Sequence, residues 1–296
     1  MYILGIETTG AYASVALLRE GDVPGSCKGN GSEGDFSLDV IHGNDRFSHL
    51  QNLTPQIKTL LERNDVDMKD IDAIAVSHGP GSFTGIRIGV STARALSQVT
   101  GIPCVAVSSL EALALRALDG VHTSVTDGSP EPELPDEGAV ICPILDARRK
   151  QVYGAAYRIS PGEHGSYKFE EVVRPGSYLM TEFLEELEKA PDTISIFFIG
   201  DGIDTCGDII QKWVEDEKEY ITGKRVNVAF AEENIRYQDA STVALRGAQL
   251  FREGKSCGYM ELEPEYLRMA EAEKKLKERQ AQDEKKQKAQ PQESEK

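Results

Sequence analysis

Four short stretches hold the residue types that chemistry needs. Glu7, Thr8 and Thr9 end the first apolar run. An acid there could handle a metal or a water, and the hydroxyls could hold a phosphate. The loop His78-Gly79-Pro80-Gly81-Ser82 joins an apolar run to a helical one. Free N–H groups at such a helix start attract anions. Gly200-Asp201-Gly202 follows the apolar Phe198 and Ile199, where a glycine pair would let an adenosine lie flat on the backbone. Asp146, with Arg148 and Arg149, opens a hairpin at the counterpart of Glu7 in the second half.

Each stretch also has a plain structural account. Threonine hydroxyls can hold a loop, and glycines can supply the torsions of a tight strand-to-helix turn. Paired charges can hold a surface turn. Three details weigh against a nucleotide. No glycine follows Glu7 until Gly10, no lysine lies in the His78–Ser82 loop as a phosphate-binding loop requires, and Asp201 interrupts an apolar surface.

Other chemistries find little support. Of the histidines at 42, 49, 78, 122 and 164, none has an i, i+4 partner that would put two imidazoles on one helix face. Tyr153 and Tyr157, at even spacing on a strand, read as core or interface residues. No serine sits in a nucleophile-elbow context. The five cysteines are scattered and odd in number, which favours reduced thiols in a cytoplasmic protein over a disulfide framework or a zinc site. No catalytic, cofactor-binding or metal residue is assigned. A formal charge of −16 repels RNA, because nucleic-acid affinity rests on Lys and Arg neutralising phosphates. A partner must supply the basic surface for any role on RNA.

The elements that would position these residues follow from periodicity. In the first half, strands are expected at 2–8, 13–19 and 36–41, then a helix carrying Leu50, Leu53, Ile57, Leu60 and Leu61 at helical spacing, with Pro55 inside it or marking its effective start. A strand at 71–77, a helix at 82–99, a strand at 103–107 and a helix at 109–118 complete it. The second half repeats the order: strands 140–146, 151–159 and 167–173, helix 181–188, strand 193–200, helix 206–214, strand 225–230 and helix 240–251. Two successive βββαβαβα units predict a duplicated α/β protein of the actin-like, sugar-kinase and Hsp70 (ASKHA) fold group. The chain of 296 residues divides into an N-terminal lobe (1–118), an acidic linker (119–137), a C-terminal lobe (138–268) and a charged tail (269–296) read as a fraying helix passing into disorder. A Gly-, Ser- and Asp-rich loop spans 21–34. No run of eighteen apolar residues exists, so no membrane span is expected. The N-terminus reads as a strand and not as a secretion signal.

The helix at 82–99 is unusual. Gly85, Gly89 and Ala93 fall at i, i+4 and i+8 on one face, though interior glycine costs about 1 kcal/mol relative to alanine. Such a stripe admits another backbone at close range. Either the protein's own sheet or a partner helix could approach there.

The residues from Ala75 to Leu96, with Ile3–Thr9, Phe47–Pro55, Pro103–Leu113, Leu145–Arg148 and Glu263–Arg268, closely resemble the TsaB family over roughly Met1 to Arg268. The resemblance implies a two-lobed actin-like protein in the bacterial pathway that places threonylcarbamoyl on the adenosine next to the anticodon. It implies a paralogue of the catalytic subunit TsaD that pairs with TsaD through helices of the N-terminal lobe. TsaE, an ATPase, docks on the pair, and TsaC makes the donor. TsaD carries a His-x-x-x-His metal site on the helix after the strand corresponding to Cys104–Val107. In register those two positions are Ser109 and Leu113, and neither ligates a metal as imidazole does.

These readings lead to a non-catalytic scaffold without a cofactor of its own, with ATP or ADP and metal on the partner subunits and tRNA reached only through the complex. The surface expected to meet TsaD is Leu53, Ile57 and Leu60 of one helix and Gly85, Gly89, Thr92, Ala93 and Leu96 of the next. The same surface could form a homodimer in isolation. The rival expectation is a carbamoyltransferase, kinase or metallopeptidase of the same fold group acting alone.

Overall fold

The computed structural model describes residues 1–21, 36–43, 49–118, 139–162, 166–190, 195–215, 220–221 and 224–268. The loop at 21–34 beyond Gly21, the linker at 119–137 and the tail at 269–296 lie outside the described residues. The first half runs β1 (Tyr2–Glu7), β2 (Ser14–Glu20), β3 (Phe36–His42), α1 (His49–Arg63), β4 (Ala73–Gly79), α2 (Phe83–Thr100), β5 (Cys104–Ser108) and α3 (Ser109–Arg116). The second runs β6 (Val140–Asp146), β7 (Gln151–Pro161), β8 (Tyr167–Leu179), α4 (Met180–Glu188), β9 (Ser195–Ile199) and α5 (Gly202–Glu215). The two-residue strands β10 (Tyr220–Ile221) and β11 (Lys224–Arg225), then β12 (Asn227–Phe230) and α6 (Ala240–Arg252), complete it.

The first sheet has the order β3-β2-β1-β4-β5 and the second β8-β7-β6-β9-β12. In each, an antiparallel meander of three strands is extended by two parallel strands on the side of the first. The same five-strand arrangement therefore occurs twice, as the element order predicts. Pro55 lies inside α1 and does not mark its start. The strand expected to stop at Val173 continues through Pro175 to Leu179. That strand, β8, is at the edge of its sheet, where a missing N–H disrupts least.

The last helix of each half packs on the other half's sheet. Leu110, Leu113 and Ala114 of α3 join the core built on β6, β7 and β9. Ala240, Val243, Ala244 and Ala248 of α6 join Ile3, Ala16, Leu18, Ala73 and Ala75 of the first sheet. Small residues allow this: a Cβ on Gly5 would lie 2.6 Å from the Ala240 carbonyl oxygen, and one on Gly247 2.2 Å from Ala75 Cβ. The segment after α6 also returns to the first half. Cys257 pairs with Cys104 through two backbone hydrogen bonds of 2.9 and 2.8 Å, and Leu262 is fully buried in the core beneath α1 and α2. The two lobes are thus braced by exchanged helices and a C-terminal strap, although the chain order divides cleanly.

Candidate functional site

Glu7 closes β1 and is completely buried. Its Oε1 accepts hydrogen bonds from the Thr9 N–H and from Thr9 Oγ1, the latter at 2.6 Å, while its Oε2 has no hydrogen-bond partner among the described residues. Burial raises its pKa above the ordinary carboxylate value, outweighing the Thr9 hydrogen bonds and the nearby Ser77 hydroxyl, which pull it down. The buried Ser109 hydroxyl lies 2.8 Å from Ser77 Oγ and donates to Thr9 Oγ1 at 3.2 Å. Glu7, Thr9, Ser77 and Ser109 form one sealed polar cluster between β1, β4 and the start of α3. Inside a low-dielectric core, a cluster of this kind favours a single arrangement of its members.

The turn between β4 and α2 folds onto the same hairpin. The Ser82 N–H donates to the Thr9 carbonyl at 2.8 Å, and Ser82 Oγ caps α2 by accepting from the Gly85 N–H at 3.3 Å. Two donors that a phosphate would use, the Ser82 and Gly85 N–H groups, are engaged within the protein. Gly79 has φ +131°, and a Cβ there would meet the Glu265 carbonyl oxygen at 2.2 Å, so the C-terminal strap crosses directly over this turn.

The glycine stripe faces the β1–β2 hairpin. A Cβ on Gly85 would lie 1.9 Å from the Thr8 carbonyl oxygen, and one on Gly89 2.4 Å from Thr8 Oγ1. Thr8 Oγ1 also donates to the Gly85 carbonyl at 2.8 Å. The backbone that comes close is this chain's own. Leu53, Ile57 and Leu60 are likewise buried with Ala93 in the core beneath α1 and α2, together with Leu4, Ile6, Ile86 and Val90. Six of the eight residues expected to meet a partner, namely Leu53, Ile57, Leu60, Gly85, Gly89 and Ala93, therefore face inward. The cause is elementary: each helix has one strongly apolar stripe, and its own sheet occupies that stripe first. Thr92 and Leu96 are half-buried at the edge of that face.

In the second half, Asp146 ends β6 and its Oδ1 accepts from the Arg148 N–H at 2.8 Å. Asp201 Oδ1 accepts from the Asp146 N–H at 2.9 Å, and burial raises the Asp201 pKa. Arg148, Arg149 and Lys150 all have positive φ, at 64°, 57° and 61°, and present their side chains to solvent. Around Gly200 and Gly202, the close neighbour is again internal: added Cβ atoms would lie 2.0 and 2.9 Å from the Ile144 carbonyl oxygen. The glycine pair fits the backbone of β6.

At the two positions that the resemblance sets in register with a metal site, Ser109 belongs to the sealed cluster and Leu113 is fully buried in the second core. An engaged hydroxyl and a packed isobutyl group do not fit a metal. Among the described residues, no group of three or more His, Cys, Asp or Glu could hold a metal ion.

What α2 offers outward is a different set of residues. Phe83 is 36% exposed, Tyr266 38% and Val99 87%. The Phe83 and Tyr266 rings lie 4.9 Å apart, the Arg87 guanidinium stacks 3.9 Å from the Phe83 ring centre, and Arg87 Nε donates to the Tyr266 hydroxyl at 3.0 Å. Sequence reasoning missed these residues. The i, i+4 spacing of Phe83 and Arg87 was a usable signal, whereas Tyr266 arrives from the strap and had none.

Two sheets of matching five-strand topology, joined by exchanged helices, define a duplicated protein of the actin-like class. A family model described as "TsaD: tRNA N6-adenosine threonylcarbamoyltransferase" matches residues 46–276. The chain is 32% identical over 278 residues to the "tRNA threonylcarbamoyladenosine biosynthesis protein TsaB" of Bacillus subtilis, covering 93% of this chain and 97% of that one. It is 28% identical over 280 residues to the TsaB of Escherichia coli, covering 93% and 98%. Among solved structures it is similar to "YeaZ from Pseudomonas aeruginosa", with a TM-score of 0.60 and 23% identity over 90% of this chain and 99% of that one. The chain belongs to the TsaB family.

Proposed function

We propose that this protein is a non-catalytic scaffold subunit in the biosynthesis of tRNA threonylcarbamoyladenosine, required by TsaD to modify the adenosine next to the anticodon. The observation that carries this reading is the packing at Ser109 and Leu113. One is held in the Glu7 cluster and the other is core, so neither is available to a metal-dependent transfer. The pathway comes from the names of the TsaB relatives.

In this proposal TsaD docks on the outward faces of α1 and α2, using Phe83, Arg87 and Val99 with the bordering Thr92 and Leu96. The inward stripe sets the position of α2 and does not touch the partner. ATP or ADP and the metal reside on TsaD and TsaE, TsaC supplies the donor, and tRNA is met through the assembled complex in the cytoplasm. The same outward face can pair two copies when TsaD is absent. Co-purification with TsaD tests this reading, alongside metal analysis and an ATPase assay on the pure protein. A stable one-to-one complex, with neither bound metal nor ATP turnover in the isolated protein, is expected. Stoichiometric iron or zinc in the pure protein would overturn it.

A further inference from the structure

Cys104 opens β5 and is fully buried, and its thiol donates to the Ala93 carbonyl at 3.7 Å. Cys257 stands directly opposite on the strap and is half-buried. The two exchange both backbone hydrogen bonds, at 2.9 and 2.8 Å, as an isolated antiparallel bridge. Residues paired in this way have Cα atoms about 5.5 Å apart and side chains on one face of the sheet. Both side chains here pack into the core beneath α1 and α2, and both are free thiols. Disulfides span Cα separations of about 4.4–6.8 Å, so this pair is within bridging distance. A disulfide also draws the two Cβ atoms to about 4 Å, which is about 1 Å closer than opposite strand residues stand. The strap can supply that movement. Its bridge to β5 is a single pair, set between Gly254 with φ +74° and Gly258, and the residues on either side of Cys257 are exposed.

Burial raises the pKa of both thiols, so neither is a ready nucleophile and the resting protein keeps them reduced. We propose that Cys104 and Cys257 form a reversible disulfide latch, closed by a peroxide and opened by a dithiol reductant, that fastens the C-terminal strap to β5. Cys257 reacts first, because it is the one of the two that reaches solvent. Its thiolate sulfur attacks one peroxide oxygen, the O–O bond breaks, and a sulfenic acid forms with release of one water. The Cys104 sulfur gives up its proton and attacks the Cys257 sulfur; the S–O bond breaks and a second water leaves. Two thiols thus lose two electrons and two protons while the peroxide is reduced to two waters. Thiol–disulfide exchange with the dithiol restores both thiols. The strap also lays Glu265 over the turn at Gly79 and brings Tyr266 to Phe83, so closure steadies both contacts. The latch does not depend on the pairing with TsaD proposed above.

The test exposes the reduced full chain to hydrogen peroxide, alkylates the remaining thiols and maps linkages by mass spectrometry. The expected product is one crosslinked peptide pair from a single chain, carrying Cys104 and Cys257 and two hydrogen atoms lighter than the reduced peptides together. Dithiothreitol should reverse it. Closing a loop of about 150 residues should raise Tm by about 5–10 °C, and the rise should vanish on reduction. Cys257→Ser, at a half-buried position, should leave the reduced protein within about 2 °C of the wild type and abolish the peroxide-induced rise. Four results would overturn the proposal: both thiols still open to alkylation after peroxide, either cysteine linked instead to a different cysteine or to a second chain, Cys257 oxidised to the sulfinic acid without a link, or a Cys104–Cys257 link that leaves Tm unchanged.

Discussion

Gly85→Ala separates the two accounts of the glycine stripe. If the stripe admitted a partner helix, the substitution would leave the isolated protein folded and even gain up to about 1 kcal/mol of helix propensity. The structure requires the opposite. The new Cβ would lie 1.9 Å from the Thr8 carbonyl oxygen and has to reach the 3.4 Å at which ordinary contact begins. Both sides of that contact are backbone, held by the Ser82-to-Thr9 hydrogen bond and the β1–β2 pairing, so no side chain can rotate away. Forced overpacking of this sort costs about 1–3 kcal/mol, and disturbing the Thr8 Oγ1 bond to the Gly85 carbonyl costs about 1 kcal/mol more. Net of the propensity gain, the loss is about 2 kcal/mol. At about 2–4 °C per kcal/mol for a domain of this size, Tm falls by about 4–8 °C. Thermal unfolding of the isolated protein followed by circular dichroism reads this directly. Ser91→Ala, on the exposed face of the same helix, is the control and should stay within about 0.5 kcal/mol. A Gly85→Ala protein with unchanged or raised Tm that has lost binding to TsaD would refute the reasoning.

Three further outcomes follow from named contacts. Burial raises the Glu7 pKa, so its contribution is complete below the unfolded value and declines as pH climbs from there towards the folded one. Glu7→Gln should therefore gain on the wild type as pH rises above the unfolded carboxylate value in urea unfolding, and a pH-independent difference would count against the sealed carboxyl. Asp239 is the reverse case. Burial opposes its charge, yet His42, Arg116 and the Ser241 N–H at the start of α6 hold its pKa well below the carboxylate range. Its stabilisation is present above the unfolded value and lost as pH falls. Asp239→Asn should cost about 1–3 kcal/mol at pH 7 and progressively less below pH 4, measured by the same unfolding series. Val99→Asp changes a side chain that is 87% exposed, so Tm should move by less than about 1 °C while TsaD co-purification weakens; unaltered pairing would place the interface elsewhere.

The fold was legible because its periodicities are local. β-Strands such as Tyr2–Glu7 and Ser195–Ile199 are short apolar runs bounded by polar turns, and the repeated order of elements implies the duplication without any long-range contact. The exchange of α3 and α6 was not legible. It depends on Gly5 meeting Ala240 and Gly247 meeting Ala75, contacts between residues far apart in the chain. The surroundings of the glycine stripe were legible only in part for the same reason. Spacing shows that Gly85, Gly89 and Ala93 share a face and that something close must lie against it. It cannot say whether the neighbour is Thr8 or another molecule, since a core stripe and an interface stripe have the same composition. Conversely, Phe83, Arg87 and Tyr266 become a surface only when the strap brings Tyr266 to α2.

The most direct test of the scaffold account is reconstitution of tRNA threonylcarbamoylation from purified TsaC, TsaD and TsaE with and without this protein, reading modified adenosine by mass spectrometry. Modification that depends on adding this chain, and that survives Ser109→Ala in it, is the predicted result. Full modification without the chain, or activity abolished by Ser109→Ala while the variant remains folded and bound to TsaD, would contradict it.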